Sequence, residues 1–191
     1  MAKLERIVVY GCPGSGKSTL AKSLGRILNI DFIHLDDVFW FPDWQMPTDE
    51  LFRKMVADEL YRNSWVIDGN YSRVRDMILP KATYAIIIDL PLYIPIWRLI
   101  IRTFGRNNNL IKHIPTPLPK RIEESESKEK LIYSIFDLSR YAVKYKISKL
   151  KPIVDEVKNT LGEGKYVILK RPYEINNLLN KIKEIKNKER K

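Results

Sequence analysis

The chain has 191 residues, of which 45% are apolar, 30% charged and 10% aromatic, with a net charge of +11 and a single cysteine. That is enough for one well-filled core plus a small appendage, while one Cys excludes both an internal disulfide and a multi-Cys zinc site and makes a reducing cytoplasm the expected address. No secretory leader is expected in residues 1–6, which carry Glu5, and the greasiest stretch, residues 92–101, is interrupted by Pro95 and Arg98, well short of the roughly 20 apolar residues of a membrane span.

Residues 6–10, Arg-Ile-Val-Val-Tyr, form an apolar, β-branched run that stops at Gly11, which predicts a buried strand of a parallel sheet. Leu20, Leu24, Ile27 and Leu28 recur at helical spacing and predict a helix from Gly16 or Lys17 to about Asn29. A second strand over residues 32–35 is expected to close at Asp36 and Asp37. Thr48 reads as an N-cap, with Asp49 and Glu50 in the first turn of a helix reaching about Arg62. Residues 65–67 predict a third strand ending in Asp68-Gly69, residues 84–88 a fourth ending in Asp89, and residues 166–169 a fifth, followed by a last helix from about Glu174. Strands alternating with helices mean an α/β, doubly wound parallel sheet in a single domain spanning 1–191.

The pattern changes between the fourth and fifth strands. A helix around residues 94–104 sets Arg98 and Arg102 four residues apart on one face, with Arg106 a turn further on. Residues 105–130, rich in Asn, Pro and charge, are expected to form a lid or flap. From 131 to 150 a longer helix resumes, with Ile132, Ile135, Phe136, Ser139, Val143 and Ile147 on its inner side. Basic and acidic side chains balance over residues 1–100, so the whole positive excess lies in 101–191. Most of those lysines read as a solvated surface.

Gly11, Cys12, Pro13, Gly14, Ser15, Gly16, Lys17 and Ser18 fit the pattern of Gly, four residues, then Gly-Lys-Ser, between a buried strand and a helix. A polyphosphate needs several donors converging on a small volume. Glycines let backbone N–H groups approach it, the helix N-terminus adds its positive end, Lys17 bridges the β- and γ-phosphates, Ser18 carries its hydroxyl to Mg²⁺, and Thr19 reaches the α-phosphate. Cys12 reads as a small filler.

Three carboxylates stand at predicted strand ends: Asp36, Asp68 and Asp89. Asp89 follows Ile86-Ile87-Ile88 as a metal-site acid would, but Leu90-Pro91 after it also suits a cap at a helix entrance. Asp68, beside Gly69, is the preferred acid for orienting Mg²⁺ or its waters. Of Asp36 and Asp37, Asp36 is the better candidate to take the proton of an acceptor hydroxyl or to help place the metal. Phe39, Trp40, Phe41 and Trp44 offer walls for a planar or ring-shaped acceptor, although Phe39 and Phe41 also suit the core. His34 and His113 show no metal or catalytic spacing.

Several pieces of the chain match one family: the loop at 11–18, Leu35-Asp36-Asp37-Val38-Phe39-Trp40 with Pro42 and Trp44, Trp65-Val66-Ile67-Asp68-Gly69-Asn70-Tyr71, Ile88-Asp89-Leu90-Pro91, and Trp97-Arg98 with Arg102. Together they resemble the adenylate-kinase-like P-loop proteins labelled DNA topology modulation protein, FlaR-related. The resemblance implies a nucleoside-monophosphate-kinase-like, P-loop nucleoside-triphosphate-hydrolase fold, with five parallel strands in the order 2-3-1-4-5 and a lid between strands four and five. Residues 68–73 also look like the Asp-Gly-Phe-Pro-Arg stretch of adenylate kinases. That implies an acceptor-phosphate role for Arg73, with Arg75 as its competitor; Asn70 and Tyr71 here replace Phe and Pro.

Arg98, Arg102 and Arg106 are placed like lid arginines of such kinases, and Arg171 lies in a stretch resembling their adenine-covering loop. The expectation is a cytoplasmic kinase that transfers the γ-phosphoryl group of Mg-ATP to a small acceptor, a nucleotide or a hydroxyl-bearing metabolite. Catalysis falls to Lys17, Asp36, Asp68 and Arg102; ATP to the loop at 11–19 with Arg98, Arg102 and Arg171; the acceptor to Asp36, Trp40 and Arg73; and Mg²⁺ to Ser18 and Asp68. The alternative is an ATP-binding regulator associated with DNA topology and lacking kinase activity, for which the basic second half is the motive. A protein that binds nucleotide without transferring phosphate is the third reading.

Overall fold

A computed structural model describes residues 4–41, 45–107, 137 and 139–189. Five parallel strands, β1 (Arg6–Gly11), β2 (Asp31–His34), β3 (Trp65–Asp68), β4 (Tyr84–Ile88) and β5 (Tyr166–Leu169), form one sheet in the order β2-β3-β1-β4-β5. Their registers pair His34 with Asp68, Val9 with Asp68, Gly11 with Ile88, and Ile88 with Leu169. The carboxyl ends of all five strands therefore share one edge, where ligands of open α/β sheets bind.

The strands are apolar on both faces because both are covered. Ile7, Val9, Val66, Ile86 and Ile88 point to one side, against Leu20 and Leu24 of α1 (Lys17–Leu28) and Ile182 of α7 (Pro172–Glu189). Val8, Tyr10, Ile67, Ala85 and Ile87 point to the other. There they meet α2 (Leu35–Phe39), α3 (Asp49–Glu59), α4 (Ser72–Ile78) and α6 (Leu150–Leu161), with Leu99 of α5 (Tyr93–Asn107). No helix among the described residues is long and apolar enough to cross a membrane.

The expected helix end at Asn29 and the N-cap at Thr48 are present. Asn29 ends α1 in the left-handed region at φ 58°, a conformation Asn tolerates. The Thr48 hydroxyl accepts from the Leu51 amide at 3.2 Å at the start of α3.

Four expectations need correction. The second strand stops at His34, and Asp36 and Asp37 lie in the first turn of α2, where carboxylates suit the helix N-terminus. Asp89 does not cap α5, which begins four residues later; its carboxylate pairs instead with Lys146 at 2.8 Å. Ile147, expected on an inner face, is 71% exposed. Residues 139–144 are helical, but Tyr145–Lys149 then form a π turn whose wider winding rotates the buried face, so Ala142 and Tyr145 are followed inward by Leu150. From Leu150 the α-helical spacing resumes through Ile153, Val157 and Leu161. This α6, continuous with the π turn, extends past the expected end at residue 150 and carries Pro152 within it. Of the expected lid, only residues 105–107, helical in α5, are among the described ones; the rest, and residues 131–136 of the expected helix, lie outside them.

Phe52 is fully buried and meets Phe39 edge-on at 5.0 Å and Tyr71 at 5.2 Å. Phe52→Ala is expected to lower unfolding stability by about 3–5 kcal/mol in a urea titration. A loss below about 1 kcal/mol would mean that this aromatic cluster does not support α2.

Candidate active site

The loop after β1 is built to hold an anion. Gly14 has φ 78° and Gly16 φ 95°, values that side-chain-bearing residues rarely adopt. A Cβ on Gly14 would come within 2.4 Å of the Pro95 carbonyl oxygen, so the loop lies against α5 with no space to spare. The Ser15 amide donates to the Cys12 carbonyl at 3.1 Å and closes the turn. Gly16 caps α1 without a side-chain oxygen, and the first turn of α1 holds no acid. Thr48 with Asp49 and Glu50 neutralises the start of α3 in the usual way; the start of α1 keeps its positive end for a ligand.

Lys17 donates from Nζ to the Cys12 carbonyl at 3.2 Å, folded back over the loop. The Ser15 hydroxyl is fully buried with no hydrogen-bond partner. Arg98 of α5 donates to the Ser15 carbonyl at 3.0 Å, which brings a second cation to the cradle. Pro13 is half-buried and Thr19 exposed at the mouth. Burial pushes the Cys12 thiol up despite the pull of the Lys17 ammonium, which suits an inert filler.

Asp68 organises the next layer. It is 1% exposed and its two carboxylate oxygens are divided between two partners. The Ser18 hydroxyl donates to Oδ2 at 2.5 Å, and His34 Nδ1 meets Oδ1 at 2.5 Å. The hydroxyl and carboxylate are adjacent hard oxygen donors, which fits Mg²⁺ held through one or two protein oxygens and otherwise by water and phosphate. Ser18 and Asp68 would hold that ion, and its charge would offset that of the phosphates.

His34 was not recognised from the sequence. It is 8% exposed, and its other nitrogen, Nε2, lies 3.4 Å from Asp36. Burial disfavours the imidazolium, but the hydrogen bond and charge of Asp68, with Asp36 and Asp37 beyond it, outweigh that effect and raise the His34 pKa. His34 thus lies between Asp68 and Asp36. Its available signal was the sheet order: with β2 beside β3, the last residues of the two strands must be neighbours.

Asp36 accepts from the Tyr71 hydroxyl at 2.8 Å. Burial and the Asp36 carboxylate hold Tyr71 in its protonated form, outweighing a side-chain hydrogen bond from Trp40 that acts the other way. Trp40 packs edge-on against Phe39 at 5.0 Å, while Phe39 itself is core, one of the two roles open to it. Asn70, noted in the sequence only as a departure from a motif, donates to the Gly11 carbonyl at 2.6 Å and accepts from the Tyr145 hydroxyl at 2.9 Å. It pins the start of the loop.

Other expected site residues lie apart from this cluster. Arg73 pairs with Asp49 at 2.7 Å and lies over the Phe39 ring at 5.8 Å. Arg75 pairs with Glu156 at 3.0 Å. Arg171, just beyond β5, donates to the Tyr173 hydroxyl at 3.1 Å. Arg102 and Arg106 lie on α5, but their side chains, like Pro42, Trp44 and His113, fall outside the described residues.

A five-stranded parallel sheet in this order, with a glycine-rich cradle feeding α1 and a carboxylate on the neighbouring strand, defines an adenylate-kinase-like P-loop fold. Over 209 aligned residues the chain is 24% identical to an adenylate kinase of Wigglesworthia glossinidia brevipalpis, spanning 95% of this chain and 99% of that protein. A shikimate kinase structure from Bacteroides thetaiotaomicron covers 95% of this chain and 97% of its own, with 16% identity and a TM-score of 0.46. No family model matches the chain.

His34→Ala is expected to weaken the Mg²⁺ dependence of nucleotide binding by about 10–100-fold, the usual effect of removing a group that orients a metal-site carboxylate. His34→Asn, which keeps a donor near Asp68, should recover part of it. Calorimetric titrations with ATP over a range of Mg²⁺ concentrations measure both; unchanged Mg²⁺ dependence in His34→Ala would remove His34 from the site.

Proposed function

We propose that this chain is a Mg²⁺-dependent kinase that transfers the γ-phosphoryl group of ATP to a hydroxyl of a small acceptor. The observation that carries the reading is the convergence of the loop, Lys17 and Arg98 on one side of the Ser18–Asp68 pair, with Asp36 two contacts away through His34. The end-to-end alignment with an adenylate kinase supports it. A closer kinship with the FlaR-related proteins rests on the stretches around Asp36 and Asp68.

Phosphoryl transfer asks little covalent chemistry of a protein; it asks for position and charge. The cradle amides and Lys17 hold the β- and γ-phosphates, and Arg98, with Arg102 further along α5, adds positive charge as the equatorial oxygens gain negative charge. The acceptor oxygen attacks the γ-phosphorus while the bond to the β–γ bridging oxygen breaks. Asp36 takes the hydroxyl proton, and ADP leaves. Arg171, at the same sheet edge beyond β5, is assigned to the nucleotide's base. Trp40 forms one wall for the acceptor.

Lys17→Ala is expected to abolish ADP release in a coupled assay, while circular dichroism and the melting temperature stay near those of the wild type. Lys17 touches the loop rather than the core, so folding should tolerate its loss. Transfer at the wild-type rate would overturn the assignment.

A further inference from the structure

Tyr145 is fully buried, in a place that a phenylalanine ring would fill, yet it carries a hydroxyl. That hydroxyl donates to Asn70 Oδ1 at 2.9 Å, and Asn70 Nδ2 donates in turn to the Gly11 carbonyl at 2.6 Å. Burial raises the Tyr145 phenol above its ordinary range, so the oxygen keeps its proton and stays a donor at neutral pH. The Gly11 carbonyl can only accept, so Asn70 must present its amide nitrogen to it, which leaves Oδ1 for Tyr145. The two bonds together fix one orientation of an amide that could otherwise turn over.

The backbone at Tyr145 departs from the α-helix where this contact is made. The Leu150 amide donates to the Tyr145 carbonyl, so the π turn opens at this residue; such turns are rare and recur at functional sites. The extra residue lets Tyr145 and Leu150 both face inward, while Lys146 reaches the Leu90 carbonyl at 2.7 Å and the Asp89 carboxylate at 2.8 Å. Asp89 follows β4, whose last residue, Ile88, is in register with Gly11. Two consecutive residues of the turn therefore hold two neighbouring strand ends, Lys146 that of β4 directly and Tyr145 that of β1 through Asn70.

On the kinase reading above, we infer that Tyr145 is a positioning residue for the phosphates of the nucleotide, acting through Asn70 on the Gly11 carbonyl. The Gly11–Cys12 peptide is the entry to the loop, and the next carbonyl, that of Cys12, accepts from the Ser15 amide at 3.1 Å and from Lys17 Nζ at 3.2 Å. Turning the first peptide shifts the second, and with it the turn that presents the following amides. Without the hydroxyl, Asn70 Oδ1 loses its donor and the amide is free to turn over, so the loop must be ordered at the expense of binding.

Tyr145→Phe keeps the ring in the core and removes only the donor. Calorimetry of the full chain with Mg-ATP should show a loss of affinity of about three- to tenfold. Asn70→Ala should lose at least as much, and adding Tyr145→Phe to Asn70→Ala should change the affinity by less than about twofold, because the hydroxyl acts through Asn70. Packing alone would not give that pattern, nor would it move one particular resonance. In proton–nitrogen correlation spectra of the protein without nucleotide, the Cys12 amide nitrogen, which is bonded to the Gly11 carbonyl carbon, should shift in the same direction in Tyr145→Phe and in Asn70→Ala. Wild-type affinity in Tyr145→Phe, an equal further loss in the double variant, or an unmoved Cys12 resonance overturns this inference and leaves the kinase reading in place. Failure of the wild type to bind Mg-ATP at all overturns both.

Discussion

Asp68 is the constraint around which the rest of the site is arranged. A carboxylate buried to 1% exposure is stable only if both oxygens are paired, and here the two partners come from different elements. Ser18 reaches it from the first turn of α1, and His34 from the end of β2. Those approaches exist because β3 lies between β1 and β2, with Asp68 in register with both Val9 and His34. Moving β3 by one residue would turn Asp68 to the opposite face, leaving Ser18 and His34 without their acceptor.

The site is electrostatically divided along that line. On the α1 side lie the uncapped helix start, Lys17 and Arg98. On the α2 side lie Asp36, Asp37 and arginines already matched to carboxylates. Such a gradient suits a transfer in which a polyanion is held at one end and a proton is taken up at the other. His34 stands on the boundary, with Nδ1 at Asp68 and Nε2 3.4 Å from Asp36.

What could be read from the sequence follows from how local each feature is. The cradle was legible because its glycines, Lys17 and Ser18 are adjacent in the chain and their spacing carries the chemistry. Asp68 was legible as a strand-end carboxylate because it ends an apolar run beside a glycine, and its carboxylate accepts from Ser18. His34 was passed over because a histidine shows its role through the partner across the strand pair, and that partner is 34 residues away. Tyr145 and Lys146 were hidden for a similar reason: they return to Asn70, Asp89 and Leu90 from a helix far along the chain. The π turn shifts the buried phase by a residue, so periodicity pointed to Ile147 where the fold buries Tyr145 and Leu150.

These distant returns explain how a loop rich in glycine keeps one shape. Glycines supply the positive φ values but nothing that selects them from other conformations. Selection comes from outside the loop. Asn70, itself held by Tyr145, takes the Gly11 carbonyl; Arg98 takes the Ser15 carbonyl; and the backbone of Pro95 lies against Gly14. The Gly11 and Ser15 carbonyls are thus bound from outside the loop, an arrangement in which backbone amides can face an anion. The same contacts tie the loop to α5, the helix that carries Arg98, so the position of that arginine and the shape of the loop are set together.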